Sequence, residues 1–246
     1  DRSVSRGLGD VYKRQDKELS ENNIVTIQPD SLRILHNPLT GWVLYASMGV
    51  DAADFWAQYD HMYIPELGHN VSVTDYAHTL YIRASWTDFN PQEDVYGWKI
   101  DSNLRAYIEG AYQRNMRLAF RVVVDSRDKR TEFTPQFVKD AGAKGFMNKG
   151  KWSPYSDDPV FQKYYTKFVK ALAKDFNDPS KVEFIDGFGL GKWGEYHTMI
   201  YSTGDDTPKK AVFDWVTDIY SQAFDKVPVV TVSYTHLRAH ETLSDL

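Results

Sequence analysis

The sequence predicts an α/β protein, a partial (β/α)8 TIM barrel holding roughly the first five strands with their outer helices. Two observations lead there. Short apolar runs rich in β-branched and aromatic residues alternate with amphipathic helical stretches, the pattern of a parallel sheet with helices outside it. Two of those runs also carry an arginine in mid-strand, Arg83 and Arg121. By alternation Arg83 shares a face with Tyr81 and Ser85, and Arg121 shares one with Ala119, Val123 and Asp125. The opposite faces are wholly apolar: Leu80, Ile82 and Ala84, and Leu118, Phe120, Val122 and Val124. The apolar faces suit a helix layer. The polar faces suit a barrel interior that becomes polar toward its mouth, which favours a barrel over an open doubly wound sheet.

Five strand candidates follow in order. They are NPLTGWVLYAS (37–47), TLYIRASW (79–86), RLAFRVVVDS (117–126), VEFIDGFGLG (182–191) and VPVVT (227–231). Helices fall between them. Asp101 is an expected N-cap, with Leu104, Tyr107, Ile108, Ala111 and Tyr112 at helical spacing after it. Asp158-Pro159 is an N-cap and first-turn pair. Its helix carries Phe161, Tyr164, Tyr165, Phe168, Val169, Leu172 and Phe176, and stops near Asn177. A third begins after Pro208, with Val212, Phe213, Val216, Ile219, Tyr220 and Phe224 as its stripe. Two insertions, 50–78 and 127–157, interrupt the rhythm; the first is expected to hold a short helix around 54–59.

Composition narrows the function. With 29 Lys+Arg against 34 Asp+Glu the formal net charge is −5 and no basic cluster stands out, which gives no support for nucleic-acid binding. No apolar run approaches the ~20 residues of a membrane span. The absence of cysteine rules out disulfides, thiolate zinc sites and cysteine nucleophiles. The histidines have no metal-site spacing such as H-E-x-x-H, and no G-x-S-x-G serine elbow occurs, so neither a metal nor a cofactor is expected. Trp and Tyr are frequent, at 7 and 16 residues. Such rings serve either as core or as platforms for sugar stacking.

The segment GLGKWGEYHT (189–198) is the main candidate for chemistry. Glu195 follows the fourth strand, where a barrel carries its active face. Trp193, Tyr196 and His197 stand around it. A carboxyl group beside aromatic rings suits a general acid next to a sugar platform; a solvated or salt-bridged loop glutamate is the plain alternative. Trp86, at the carboxyl end of the second strand, is a candidate sugar contact or a ring packed under its loop. Asp125, beside Arg127, Asp128, Lys129 and Arg130, either bonds sugar hydroxyls or belongs to a surface charge run. Trp98 reads as structural. Trp152 and Tyr155 are candidates to wall a cleft. The same segment spells G-x-G-x-x-G through Gly189, Gly191 and Gly194, but residues 195–206 run into Ser-Thr-Gly-Asp-Asp rather than the long helix that a dinucleotide fingerprint needs. A P-loop is excluded, because Trp193 follows Gly191-Lys192 and Asp186 stands at the first glycine position.

The two ends of the chain are related. Codons can be written for DRSVSRGLGDVYKRQ (1–15) whose reverse complement, read in a shifted frame, translates as VSYTHLRAHETLSD (232–245). The repeated DNA resembles the adapter of a transposase-based sequencing library. Residues 1–15 and 232–246 are therefore expected to be adapter-derived tails, and 16–231 the N-terminal part of a catalytic barrel cut at both ends. Two open parallel edges and an uncovered interior are expected to make the chain prone to aggregation.

The run RASWTDFNPQEDVYGWKIDSNLRAYIEGAYQRNMRLAFRV is similar to the second-to-third strand region of clan A glycoside hydrolases, especially β-galactosidase-like families. Asp94 stands where that pattern usually has a turn glycine. NPLTGW and W-G-E-x-H also resemble related bacterial barrel domains of unknown function. The resemblance covers most of 16–231. It implies a retaining glycoside hydrolase acting on a carbohydrate, with the acid/base Glu after strand four matching Glu195. Gly194-Glu195 stands in place of the usual Asn-Glu pair. The nucleophile Glu follows strand seven in that clan, beyond Thr231, so this chain alone is expected to be inactive. Trp86, Trp193, Tyr196 and His197 are the implied sugar contacts, with Arg83, Arg121 and Asp125 as polar support. For a bacterial glycosidase, a secreted or periplasmic location is implied rather than a cytoplasmic one. The alternative, suggested by Gly194, is a barrel that binds carbohydrate without catalysis. A nucleotide-dependent oxidoreductase is a third reading, resting on the glycine pattern alone. Sugar, linkage and oligomeric state are not legible.

Overall fold

A computed structural model describes residues 41–230 except 47, 128 and 130. The expected tails, residues 37–40 of the first strand candidate, Ser47, Asp128, Arg130 and Thr231 lie outside the described residues.

Five strands form one parallel sheet in the order of the sequence candidates: β1 (Trp42–Tyr45), β4 (Ala77–Ser85), β5 (Arg117–Val123), β8 (Val182–Asp186) and β9 (Val229–Val230). Sequential parallel order with a helical crossover between neighbours is the winding of a (β/α)8 barrel. Two antiparallel hairpins lie outside the sheet. One is β2 (Met62–Ile64) with β3 (His69–Val71); the other is β6 (Gly145–Asn148) with β7 (Lys151–Pro154). Both fall inside the insertions, where the sequence showed no strand pattern.

The helices begin where their caps predict. α1 (Ala52–Asp60) starts after Asp51, whose side chain accepts from Ala53 N. Two short helices, α2 (Trp86–Phe89) and α3 (Gly97–Ile100), lead into α4 (Ser102–Gln113). Asp101 caps α4 by accepting from Leu104 N at 2.7 Å. The second insertion adds α5 (Gln136–Asp140). Asp158 caps α6 (Pro159–Phe176) by accepting from Phe161 N at 2.8 Å, and α7 (Lys209–Ala223) follows Pro208. These side chains satisfy backbone donors that the first turn leaves open.

Strand alternation then sorts the side chains. Leu80, Ile82, Ala84, Leu118, Phe120 and Val122 are buried. They join one core with Tyr107 and Ile108 of α4, Phe161, Tyr165 and Phe168 of α6 and Val216 and Tyr220 of α7. On the other face, register pairs Tyr81 with Ala119 and Arg83 with Arg121. The β5–β8 register shifts between Leu118 and Ala119, so that Ala119 pairs with Phe184. That shift brings Glu183, Phe184 and Asp186 to the inner face. Glu183 there forms a buried ion pair with Arg117. Toward β1 the inner face is open, with Val43 and Tyr45 47% and 52% exposed.

Candidate active site

The inner face turns polar at the carboxyl ends of the strands. Asp186, the last residue of β8, accepts at Oδ2 from Tyr81 Oη at 2.6 Å and from Arg121 Nε at 2.9 Å. A second nitrogen of the same guanidinium edge, Nη2, also contacts that oxygen. Arg121 turns its remaining nitrogen, Nη1, to Glu195 Oε1 at 3.0 Å. Burial works against the charge of Arg121, but Asp186, Tyr81 and Glu195 outweigh it and hold its pKa above the ordinary value. Burial, reinforced by Asp186, pushes the Tyr81 hydroxyl far up, so it remains a proton donor. Two polar atoms of this layer, Asp186 Oδ1 and Arg83 Nε, are buried without a hydrogen-bond partner among the described residues.

Glu195 sits on the loop between β8 and α7. That loop is bent by backbone of unusual sign. Gly189 has φ +77°, and a Cβ there would lie 2.3 Å from Val122 O. Gly189 O accepts from Val124 N at 3.0 Å, which ties the loop to the end of β5. Trp193, Tyr196 and Thr198 hold positive φ without being glycine. Such residues cluster at functional sites, where surrounding contacts enforce them. Here Arg83 Nη2 donates to Trp193 O and Arg127 Nη2 to Thr198 O, each at 2.7 Å. Phe188, Leu190 and Tyr196 anchor the loop by burial. No helix begins within it, so the glycine pattern lacks the helix of a dinucleotide site.

The structure brings together Arg83, Arg121, Trp193, Glu195 and His197. The Glu195 side chain is one-third exposed, and His197 Nε2 lies 3.8 Å from its Oε2. Trp193 is 40% exposed and meets the His197 ring edge-on. Asp125 stands one step back. It is buried, accepts from the backbone N and Nε of Arg127, and so braces the arginine that holds Thr198.

Two expected sugar contacts are corrected. Trp86 is fully buried on the helix side, packed against Phe137, Phe161, Tyr165 and Phe168. It follows Ile82 and Ala84 in strand parity, so it points away from the mouth. Tyr196 is buried against Phe188 and Phe213, with its hydroxyl donating to Lys209 O. Its positive φ turns the ring from the mouth to the core. Trp152 is buried as well, while Trp98 is structural as expected, donating to Asp175. Asp186 and Tyr81 are the site residues that sequence reasoning passed over. Among the described residues, no group of three or more His, Asp or Glu is placed to hold a metal, and no helix is long and apolar enough to cross a membrane.

No protein-family model matches the chain, and no curated protein does. Solved structures do. A variant of GH5_18 from Streptomyces cattleya in complex with Manb1-4GlcNAc matches with a TM-score of 0.50 at 14% identity, over 79% of this chain and 44% of that one. GH5_18 of the same organism with GlcNAc gives 0.47 at 14% identity, over 77% and 43%. The exo-beta-1,4-mannosidase Op5Man5 from Opitutaceae bacterium strain TAV5 gives 0.47 at 17%, over 73% and 28%. This chain thus spans less than half the length of each. The first of these likenesses shows the fold alone, part of a (β/α)8 barrel.

Proposed function

We propose that residues 16–231 hold roughly the first five strands, with the helices between them, of a retaining glycoside hydrolase barrel, that Glu195 is its general acid/base, and that the nucleophilic carboxylate is carried by a later strand. The observation that carries this reading is the setting of Glu195. Its carboxyl group stands at the strand ends, one-third exposed, contacted by one nitrogen of Arg121 and set beside Trp193 and His197.

Glycoside hydrolysis needs one carboxyl group to protonate the leaving oxygen and a second to attack the sugar; in retaining enzymes the two are about 5–5.5 Å apart. Glu195 suits the first role better than Asp186. Asp186 gathers three donor contacts on one oxygen, which commits it to Tyr81 and Arg121, and its side chain is 11% exposed against 33% for Glu195. Trp193 offers an exposed ring for a sugar face, and His197 a polar edge for a hydroxyl. Arg83 fixes Trp193 through its carbonyl oxygen. Arg121 and, through Arg127, Asp125 support the same loop.

The test is to extend the coding sequence through the remaining strands and assay the complete barrel against a panel of aryl glycosides, reading the anomer of the first product by NMR. Retention is expected, and Glu195→Gln should lower turnover about 10²–10⁴-fold. Inversion, or an unaffected Glu195→Gln enzyme, contradicts the reading. Residues 1–246 alone should show no turnover. Sugar binding without turnover by the complete barrel supports the non-catalytic alternative.

A further inference from the structure

We infer that Asp186 is a positioning residue for Glu195, acting through Arg121 by occupying the guanidinium edge that would otherwise clamp the acid in a two-point ion pair. The inference rests on the reading of Glu195 as the acid/base.

A guanidinium offers a carboxylate two parallel N–H donors along one edge, and such bidentate pairs are among the strongest side-chain contacts. An acid held that way is fixed in its charged form and has no proton to deliver. Arg121 is nearly buried, 8% exposed, so it strongly favours anionic partners. Its Nε/Nη2 edge is filled by Asp186 Oδ2, and only Nη1 is left for Glu195. Tyr81 donates to the same Asp186 oxygen from β4, which fixes the carboxylate from the far side. Of the Arg121 guanidinium, Glu195 thus receives one nitrogen for aim, while Asp186 takes the paired edge. The other charged groups around the loop are otherwise engaged: Arg83 holds Trp193 O, and Arg127 holds Asp125 and Thr198 O. Lys192 lies over the Trp193 ring, and His197 is 3.8 Å from the acid.

Asp186 comes from strand β8 itself, while Glu195 comes from the loop. The rigid element therefore sets the geometry and the loop delivers the acid, the division expected when a site is held by a supporting shell.

Two measurements test this. In residues 1–246, hydrogen exchange at Arg121 Nε–H, read by ¹⁵N NMR, should quicken at least about 10-fold in Asp186→Asn and change less than about 3-fold in Glu195→Gln. Tyr81→Phe keeps the carboxylate and should give a smaller change in the same direction, so a poorly folding Asp186→Asn does not decide the matter. In the complete barrel, Asp186→Asn should lower kcat at least about 10-fold with KM within about 3-fold. Unchanged exchange in both Asp186→Asn and Tyr81→Phe, or a loss confined to KM, overturns the inference. If Glu195→Gln proves fully active, the acid/base reading falls by itself, and the exchange data still decide whether Asp186 holds Arg121.

Discussion

On β4 neighbouring residues meet opposite surroundings. Leu80 and Ile82 are completely buried beneath the helices, while Tyr81 and Arg83, which alternate with them, face a polar layer with Arg121 and Asp186. The outer face gains its stability from close packing of Phe120, Trp86 and the α6 aromatics. The inner face gains little from packing and much from charge placement. A single strand thus builds the core with one parity and the site with the other. A substitution should accordingly lose packing on one side and charge balance on the other.

The largest effect is expected on the helix side. Trp86→Ala should remove about 3–5 kcal/mol of stability, read from urea unfolding. A loss below about 1 kcal/mol would mean that Trp86 is not the packed ring described and would reopen it as a surface contact.

Arg121→Met should come next. It leaves Asp186 nearly buried without its cation, and breaking such a pair by one partner costs about 3 kcal/mol or more. If the protein instead keeps its urea midpoint, the inner layer is solvated, and the contrast between the faces weakens.

The amino ends of the strands supply a pH test. Arg114 holds Asp60 with two nitrogens, and its hydrogen bonds keep the Asp60 carboxyl below the usual aspartate range. A lowered folded-state pKa stabilises above the unfolded value, and that contribution fades as pH falls through the folded value. Asp60→Asn should therefore lower the urea midpoint at pH 6 and leave a smaller difference from the parent near pH 3. An equal difference at both would assign the effect to packing.

Tyr45→Thr should do least. The ring is half exposed on the open stretch of the inner face, so stability should stay within about 0.5 kcal/mol. Solubility should rise, because the exposed Tyr45, Val43 and edge strand β1 offer a surface for association. A large loss of stability would show that something packs over that stretch.

The fold was legible because its two periods are clean. Alternation in TLYIRASW and RLAFRVVVDS separated the faces, and Asp101 and Asp158 marked their helices. The two hairpins were not legible: GFMN and KWSP have neither a clear alternation nor a β-branched run, and HNV is too short to read. The candidate site was legible only in part. Glu195, Arg121 and Arg83 came from position along strands. Asp186 was passed over because it ends an apolar run and reaches the inner face through the register shift at Leu118/Ala119, which no pattern announced. Trp86 was misjudged although its parity with Ile82 and Ala84 already pointed outward. Tyr196 depended on a positive φ, which a tyrosine in the sequence does not signal.

The most direct test of Glu195 as the acid is the dependence of hydrolysis on the leaving group. Aryl glycosides graded in phenol acidity would be turned over by the complete barrel with and without Glu195→Gln. The variant should be nearly normal in cleaving the most acidic phenol, which departs without a proton, and should fall further behind as the phenol becomes more basic. A deficit that is the same across the series, or none at all, would contradict that role.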